Sequence, residues 1–434
     1  MKNKRLFIFL IVFVFILASC GSNSGGENNS NSGTEDNPTK ISFYFPVAVG
    51  GEVAQIVEGL AEEFEEENPD IKVDAKFGGD YAETMTQVMA SAQSGNPPEL
   101  AVLFSIDLFT LIENDLIEEL TPLFDDELLD DFYDGFMSNS QIGDDVWSLP
   151  FQRSTIVLYY NKDAFEEAGL DPEQPPEDWD ELVEYGKELT VDEGKTQWGL
   201  EIPSTGYQYW MLQALAMQTE DNIMSHDGKE TYFDAPYTKE AMQFYVDLGQ
   251  EDKIMPEGII EWSTVPSDFL SGNTAMMYHT TGNLTEVKEK ADFDFGVSYL
   301  PANNQYGSPT GGGNIYMFKD IGEAEREASI KFMEFLTEPE RVAQWSIDTG
   351  YVATRDSAYD TDLLKEYVDD FPEALVAKDQ LEYADSEMAT YQNGEIQEMF
   401  NDTLQSILDG KVSVDEGLDQ AQEKAENTLE PFQD

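Results

Sequence analysis

Pro150-Phe151-Gln152-Arg153-Ser154-Thr155-Ile156-Val157-Leu158-Tyr159-Tyr160-Asn161-Lys162-Asp163 is the stretch on which the fold turns. Residues 155–160 read as a strand, and residues 163–168 follow at once as a helix. Pro172, Pro175 and Pro176 then punctuate the chain before a second helix over 179–189. The same alternation runs upstream. Ile41-Ser42-Phe43-Tyr44-Phe45 reads as a strand, and Val53, Ile56, Val57, Leu60, Ala61 and Phe64 recur at the spacing of an amphipathic helix stopped by Asn68-Pro69. Residues 71–77 and 99–104 are further strands, with a helix over 84–94 between them. Downstream, helices are expected over 238–248, 324–336, 395–408 and 414–429. Strand–helix alternation builds a parallel or mixed sheet covered by helices. No short-period repeat marks a solenoid. The chain reads as two α/β lobes sharing one polypeptide.

The opening stretch, continued by Ala164-Phe165 and Ala168-Gly169-Leu170-Asp171-Pro172, resembles the first interlobe crossover of the family 1 extracellular solute-binding proteins of ABC importers. Phe269-Leu270-Ser271-Gly272-Asn273-Thr274-Ala275-Met276, Gly311-Gly312-Gly313 and Thr349-Gly350-Tyr351 are similar to that family in the same order, as is the block from Gly51 to Pro69. The likeness is nearer to the glycerol-3-phosphate-binding members than to the maltose-type ones. It implies a periplasmic-binding-protein fold, with two α/β lobes joined by three hinge crossings and ligand in the cleft between them. The expected N-lobe is 40–154 plus 313–354, and the expected C-lobe is 155–312 plus 356–434.

Binding a hydroxylated solute in water requires fixed donors and acceptors, with aromatic faces against its C–H surfaces. The resemblance nominates Tyr81, Ser154, Trp179, Thr281, Gly312 and Tyr351 as ligand contacts. Trp179 would be a stacking wall, and the Gly311 to Gly313 run would serve backbone geometry at a crossover before any ligand contact. Trp210 is a further aromatic candidate, whereas Trp198 and Trp262 read as packing. Ser105, or else Asp107, stands where the glycerol-3-phosphate binders have an acidic contact. Around Ala389-Thr390-Tyr391-Gln392-Asn393 those binders have a phosphate-gripping arginine that this chain lacks. Arg153 either replaces it or pairs with a carboxylate. The missing clamp shifts the expected ligand from glycerol-3-phosphate or a glycerophosphodiester toward a neutral sugar or oligosaccharide.

The N-terminus reads as an export signal: Lys2, Lys4 and Arg5 precede an apolar run over 6–17, too short for a permanent membrane span. Leu17-Ala18-Ser19-Cys20 looks like a lipobox, and Cys20 is the chain's only cysteine, so no internal disulfide competes for it. Residues 21–40 are rich in Gly, Ser and Asn, and would tether the body to the membrane across roughly 25 Å. With 24 basic and 88 acidic residues the net charge is −64, which repels nucleic acid and anionic lipid and suits a saline or alkaline exterior. The carboxylates show no calcium-loop spacing, and His226 and His279 lie far apart, so neither metal nor cofactor is expected. The expected partners are the small solute and the permease subunits, the protein itself being monomeric. A secreted glycosidase would need two carboxylates flanking a sugar bond, and no block resembles a hydrolase. A sensory protein without a permease would differ in lacking importer genes beside its own.

Overall fold

The computed structural model describes residues 33–35, 37–191 and 197–433. The export signal, Cys20 and most of the tether lie outside them. Three parallel strands, Ile71–Phe77, Thr39–Phe45 and Leu100–Phe104, lie side by side in that order. The helix Val53–Glu67 connects the first pair and buries Val53, Val57, Ala61 and Phe64. Phe64 meets Phe332 from the helix Glu323–Leu336 at 4.9 Å, and Phe332 stands edge-on to Phe43 at 5.3 Å. Each such fully buried side chain contributes roughly 1.5–3 kcal/mol. The next helix, Tyr81–Gln93, begins three residues earlier than its apolar pattern predicts. Asp80 accepts from the Glu83 backbone and Glu83 reaches back to the Asp80 N–H, a reciprocal cap that fixes Tyr81 as the first helical residue.

The strand expected over 155–160 is longer than its apolar part. Leu149–Asn161 is a single strand buried at every position. Its first half pairs antiparallel with Ser308–Met317, and its second half pairs with Met276–Thr280 and Phe295–Ser298. Ser308–Met317 likewise changes partners, from Ala384–Asp385 at its start to Leu100–Phe104 at its end. A third segment runs alongside: the Val352 N–H donates to the Arg153 carbonyl at 2.9 Å. These are the three crossings between two α/β lobes. One apolar core gathers Phe43, Phe64, Val102, Phe332 and Trp345, and a larger one gathers Tyr159, Leu212, Phe233, Tyr245 and Met276.

Candidate functional site

Beside the crossings lies a cleft walled by the aromatic rings of Tyr81, Phe104, Tyr207, Trp210, Trp262 and Tyr351. Its polar lining comes from Ser154, Thr280, Gly312 and Glu387. Among the described residues, no lysine or arginine lines it. Tyr81 stacks on Phe104 at 4.4 Å, Phe104 meets Tyr207 edge-on at 5.8 Å, and Tyr207 meets Trp262 edge-on at 4.6 Å. The Trp210 indole N–H donates to the Thr310 carbonyl at 3.0 Å, and the Tyr81 hydroxyl donates to Gln152 at 3.2 Å. The rings are therefore tied to the crossing strands rather than free to rotate.

The triple glycine explains how they come so close. A Cβ on Gly311 would lie 2.4 Å from the Trp210 ring, and one on Gly313 would lie 2.9 Å from the Tyr81 ring. Gly312 itself has φ +101°, and a Cβ there would meet the Gln152 carbonyl oxygen at 1.9 Å. Only glycine fits all three demands.

The lobes meet around the cleft. The Trp262 indole N–H donates to the Ala48 carbonyl at 3.2 Å, and the Gly50 N–H donates to Asn283 at 3.3 Å. The cleft holds about 330 Å³ of empty space, part of it continuous with solvent.

Tyr81, Ser154, Trp210, Gly312 and Tyr351 are brought together at this cleft. Thr281 is displaced by one residue: Thr280 lines the cleft, while the buried Thr281 hydroxyl has no partner. Ser105 follows the lining residue Phe104, fully buried, its hydroxyl also without a partner. Trp179 stands elsewhere. It stacks on Phe244 at 3.8 Å, donates to Gln218 at 2.8 Å, and lines a separate pocket with Phe244 and Ala302.

Arg153 does not line the cleft, although its charge acts on Glu387 and Tyr81 there. It is fully buried behind the strand pair and makes no ion pair with a described carboxylate within 4 Å. Its guanidinium donates to Thr310 at 3.0 Å and to Asn314 at 3.3 Å, and burial lowers its pKa to about 10. Trp262, read as packing, is at the cleft instead. So is Glu387, which no motif marked.

Residues 59–373 match the family model described as bacterial extracellular solute-binding protein. The sn-glycerol-3-phosphate-binding periplasmic protein of Escherichia coli strain K12 is 26% identical over 421 residues, covering 91% of this chain and 93% of its own. The crystal structure of UgpB from Mycobacterium tuberculosis in complex with glycerophosphocholine superposes with a TM-score of 0.78 at 24% identity, over 91% of this chain and 99% of the other. The cyclic alpha-maltosyl-1,6-maltose binding protein of Arthrobacter globiformis gives the same TM-score and identity, over 91% and 100%. Maltose-bound T. maritima MalE3 gives 0.78 at 21%, over 90% and 100%. The shared architecture is the periplasmic-binding-protein fold.

Proposed function

The chain belongs to the bacterial extracellular solute-binding proteins, and from that premise we propose that it captures a sugar or oligosaccharide by closing its two lobes and delivers it to an ABC permease. The observation that carries the ligand class is a cleft of six aromatic walls and one buried carboxylate with no lining cation. Aromatic faces cover the C–H surfaces of a sugar ring. A phosphate ester entering such a cleft would lose its hydration without a charge-assisted bond in return. Two of the structural neighbours are described with maltose-type ligands. The glycerol-3-phosphate relatives favour the runner-up, a glycerol phosphate or glycerophosphodiester.

On this reading the N-lobe is 40–154 plus 313–354 and the C-lobe is 155–312 plus 356–434. Tyr81, Ser154, Trp210, Gly312 and Tyr351 contact the ligand, joined by Tyr207, Trp262 and Glu387. Shifting the lobes from mostly open to mostly closed takes roughly 5.5 kcal/mol of differential binding, within the about 8 kcal/mol that micromolar affinity supplies. Acylation at Cys20 would hold the body beside the permease. No helix of the described residues is long and apolar enough to cross a membrane.

A thermal-shift panel tests the ligand class. Ligand at 100 times its dissociation constant adds about 2.7 kcal/mol to stability. The melting temperature should rise with maltose, maltotriose or another neutral saccharide and stay level with glycerol-3-phosphate and glycerophosphocholine. A rise with the phosphate esters alone would establish the runner-up.

The acidic excess is proposed as adaptation to a salty exterior. Arg341 already serves Glu63, Glu67 and Glu338 together, so cations are shared among carboxylates. Potassium chloride should raise the melting temperature by on the order of 10 °C between 0.01 M and 1 M, as the screening length falls from about 30 to about 3 Å. Sucrose at matched osmolality should not reproduce the rise, and equal effects of the two would remove charge as the cause.

A further inference from the structure

We infer that Glu387 sets the ligand's chemistry: on binding, its carboxylate receives hydroxyl hydrogens from a neutral polyol. The inference rests on the carbohydrate reading above and names the group that enforces it. Glu387 is 1% exposed and lines the cleft. One of its carboxylate oxygens accepts the Tyr209 hydroxyl at 2.5 Å, and the other has no side-chain partner among the described residues, the Gly312 N–H being the one backbone donor that acts on the carboxylate.

The backbone beneath it is clamped. Asn139 accepts from the Glu387 N–H at 2.9 Å and donates to the Glu387 carbonyl at 3.0 Å. Gln213 accepts from the Met388 N–H at 3.1 Å and donates to the Ser386 carbonyl at 2.9 Å. Folded proteins seldom leave a buried polar atom unpaired, because its lost hydration then goes uncompensated. An acceptor fixed this firmly beside aromatic faces matches a ligand that brings donors.

The ionisation of Glu387 supplies an independent readout. The groups acting on it are Arg153 from the strand Leu149–Asn161, Asp107 from the turn after Leu100–Phe104, and the hydroxyls of Tyr81, Tyr207 and Tyr209. Burial pushes the carboxyl up to about 8, opposed by the Tyr209 hydrogen bond and the Arg153 charge. Burial therefore favours its protonated form in the free protein. A ligand whose hydroxyls donate to both lone oxygen pairs binds the ionised form, so binding releases a proton below pH 8. Affinity rises with pH up to about 8 and levels above it.

The test is calorimetry of the full-length protein with maltotriose between pH 6 and 8.5, in two buffers of different ionisation enthalpy. Affinity should increase by up to about tenfold per pH unit below 8, with proton release seen as a buffer-dependent heat. Glu387→Gln, which can still accept from Tyr209, should weaken binding by about 10- to 100-fold, the range for a hydrogen bond to a charged group, and flatten the pH profile. Maltotriose bound equally well by the variant, or by the wild type without pH dependence, would overturn the inference and leave the carbohydrate reading standing. Binding of glycerol-3-phosphate with no saccharide bound would overturn both. Should the variant fail to fold, the wild-type pH profile and proton release decide alone.

Discussion

Gly312→Ala should lower the stability of the protein by about 2–5 kcal/mol, the sum of a left-handed backbone penalty and a backbone clash. At φ +101° the residue occupies a conformation that side chains disfavour, and the added methyl would stand 1.9 Å from the Gln152 carbonyl oxygen. That oxygen belongs to the facing crossing strand, so relief requires two strands to separate. Their separation strains the pairing of Arg153 with Gly312 and of Ser154 with Gly311. Gly311→Ala differs in kind: its methyl would strike the Trp210 ring at 2.4 Å, and a side chain can shift. Its cost should fall mainly on ligand affinity. Gly59→Ala is the control, because nothing lies within 4 Å of its Cβ and it sits inside the helix Val53–Glu67. It should be neutral or stabilising by up to about 1 kcal/mol. Guanidinium titration followed by far-ultraviolet circular dichroism ranks the three. A Gly312→Ala midpoint equal to wild type would remove the backbone argument for this glycine run.

Those glycines were legible through the family resemblance, and the elements whose one face meets water were legible in their own pattern. The amphipathic helix over 53–67 and the helix Trp179–Leu189, capped by Asp178, announce themselves by period and cap. The helix Gln208–Thr219 does not. All twelve of its residues are buried, so no polar face interrupts the pattern and no helical period stands out. That helix carries Trp210 and Tyr209, which explains why the cleft's far wall was only partly foreseen. The strand Leu149–Asn161 hides for the opposite reason: Gln152, Arg153 and Ser154 look like surface residues but are buried, each serving the crossing or the cleft.

Trp262 lines the cleft and Trp179 a separate pocket, the reverse of what sequence context favours. A tryptophan opening a helix and one in a loop after Ile260 differ in sequence context, and context favours the first as a ligand wall. Only tertiary packing, Phe244 against one and His279 against the other, decides between them. Glu387 was one carboxylate among 88. Its distinction is burial, which no local pattern records.

Trp262→Ala should weaken ligand binding by about 100-fold or more, roughly 3 kcal/mol when an aromatic contact and a closing hydrogen bond are lost together. The indole does two things at once. Its ring stands 3.9 Å from the His279 ring and 4.6 Å from Tyr207, presenting a face to the cleft. Its N–H crosses to the Ala48 carbonyl at 3.2 Å and so stabilises only the closed arrangement. Trp262→Phe separates the two. It keeps a ring and removes the N–H, so apparent affinity should fall by about 5- to 10-fold, the worth of one neutral hydrogen bond carried into the closing equilibrium. Trp179→Ala supplies the contrast, since it deletes the stack on Phe244 and the bond to Gln218 far from the cleft wall. It should cost about 3–5 kcal/mol of stability, as for other buried tryptophans, with affinity unchanged once the protein is folded. Calorimetric titration beside thermal melts reads both quantities for each variant. Binding lost in Trp179→Ala and kept in Trp262→Ala would move the ligand site away from the crossings, whereas the expected order, with Trp262→Phe between wild type and Trp262→Ala, ties capture of the ligand to closure of the lobes.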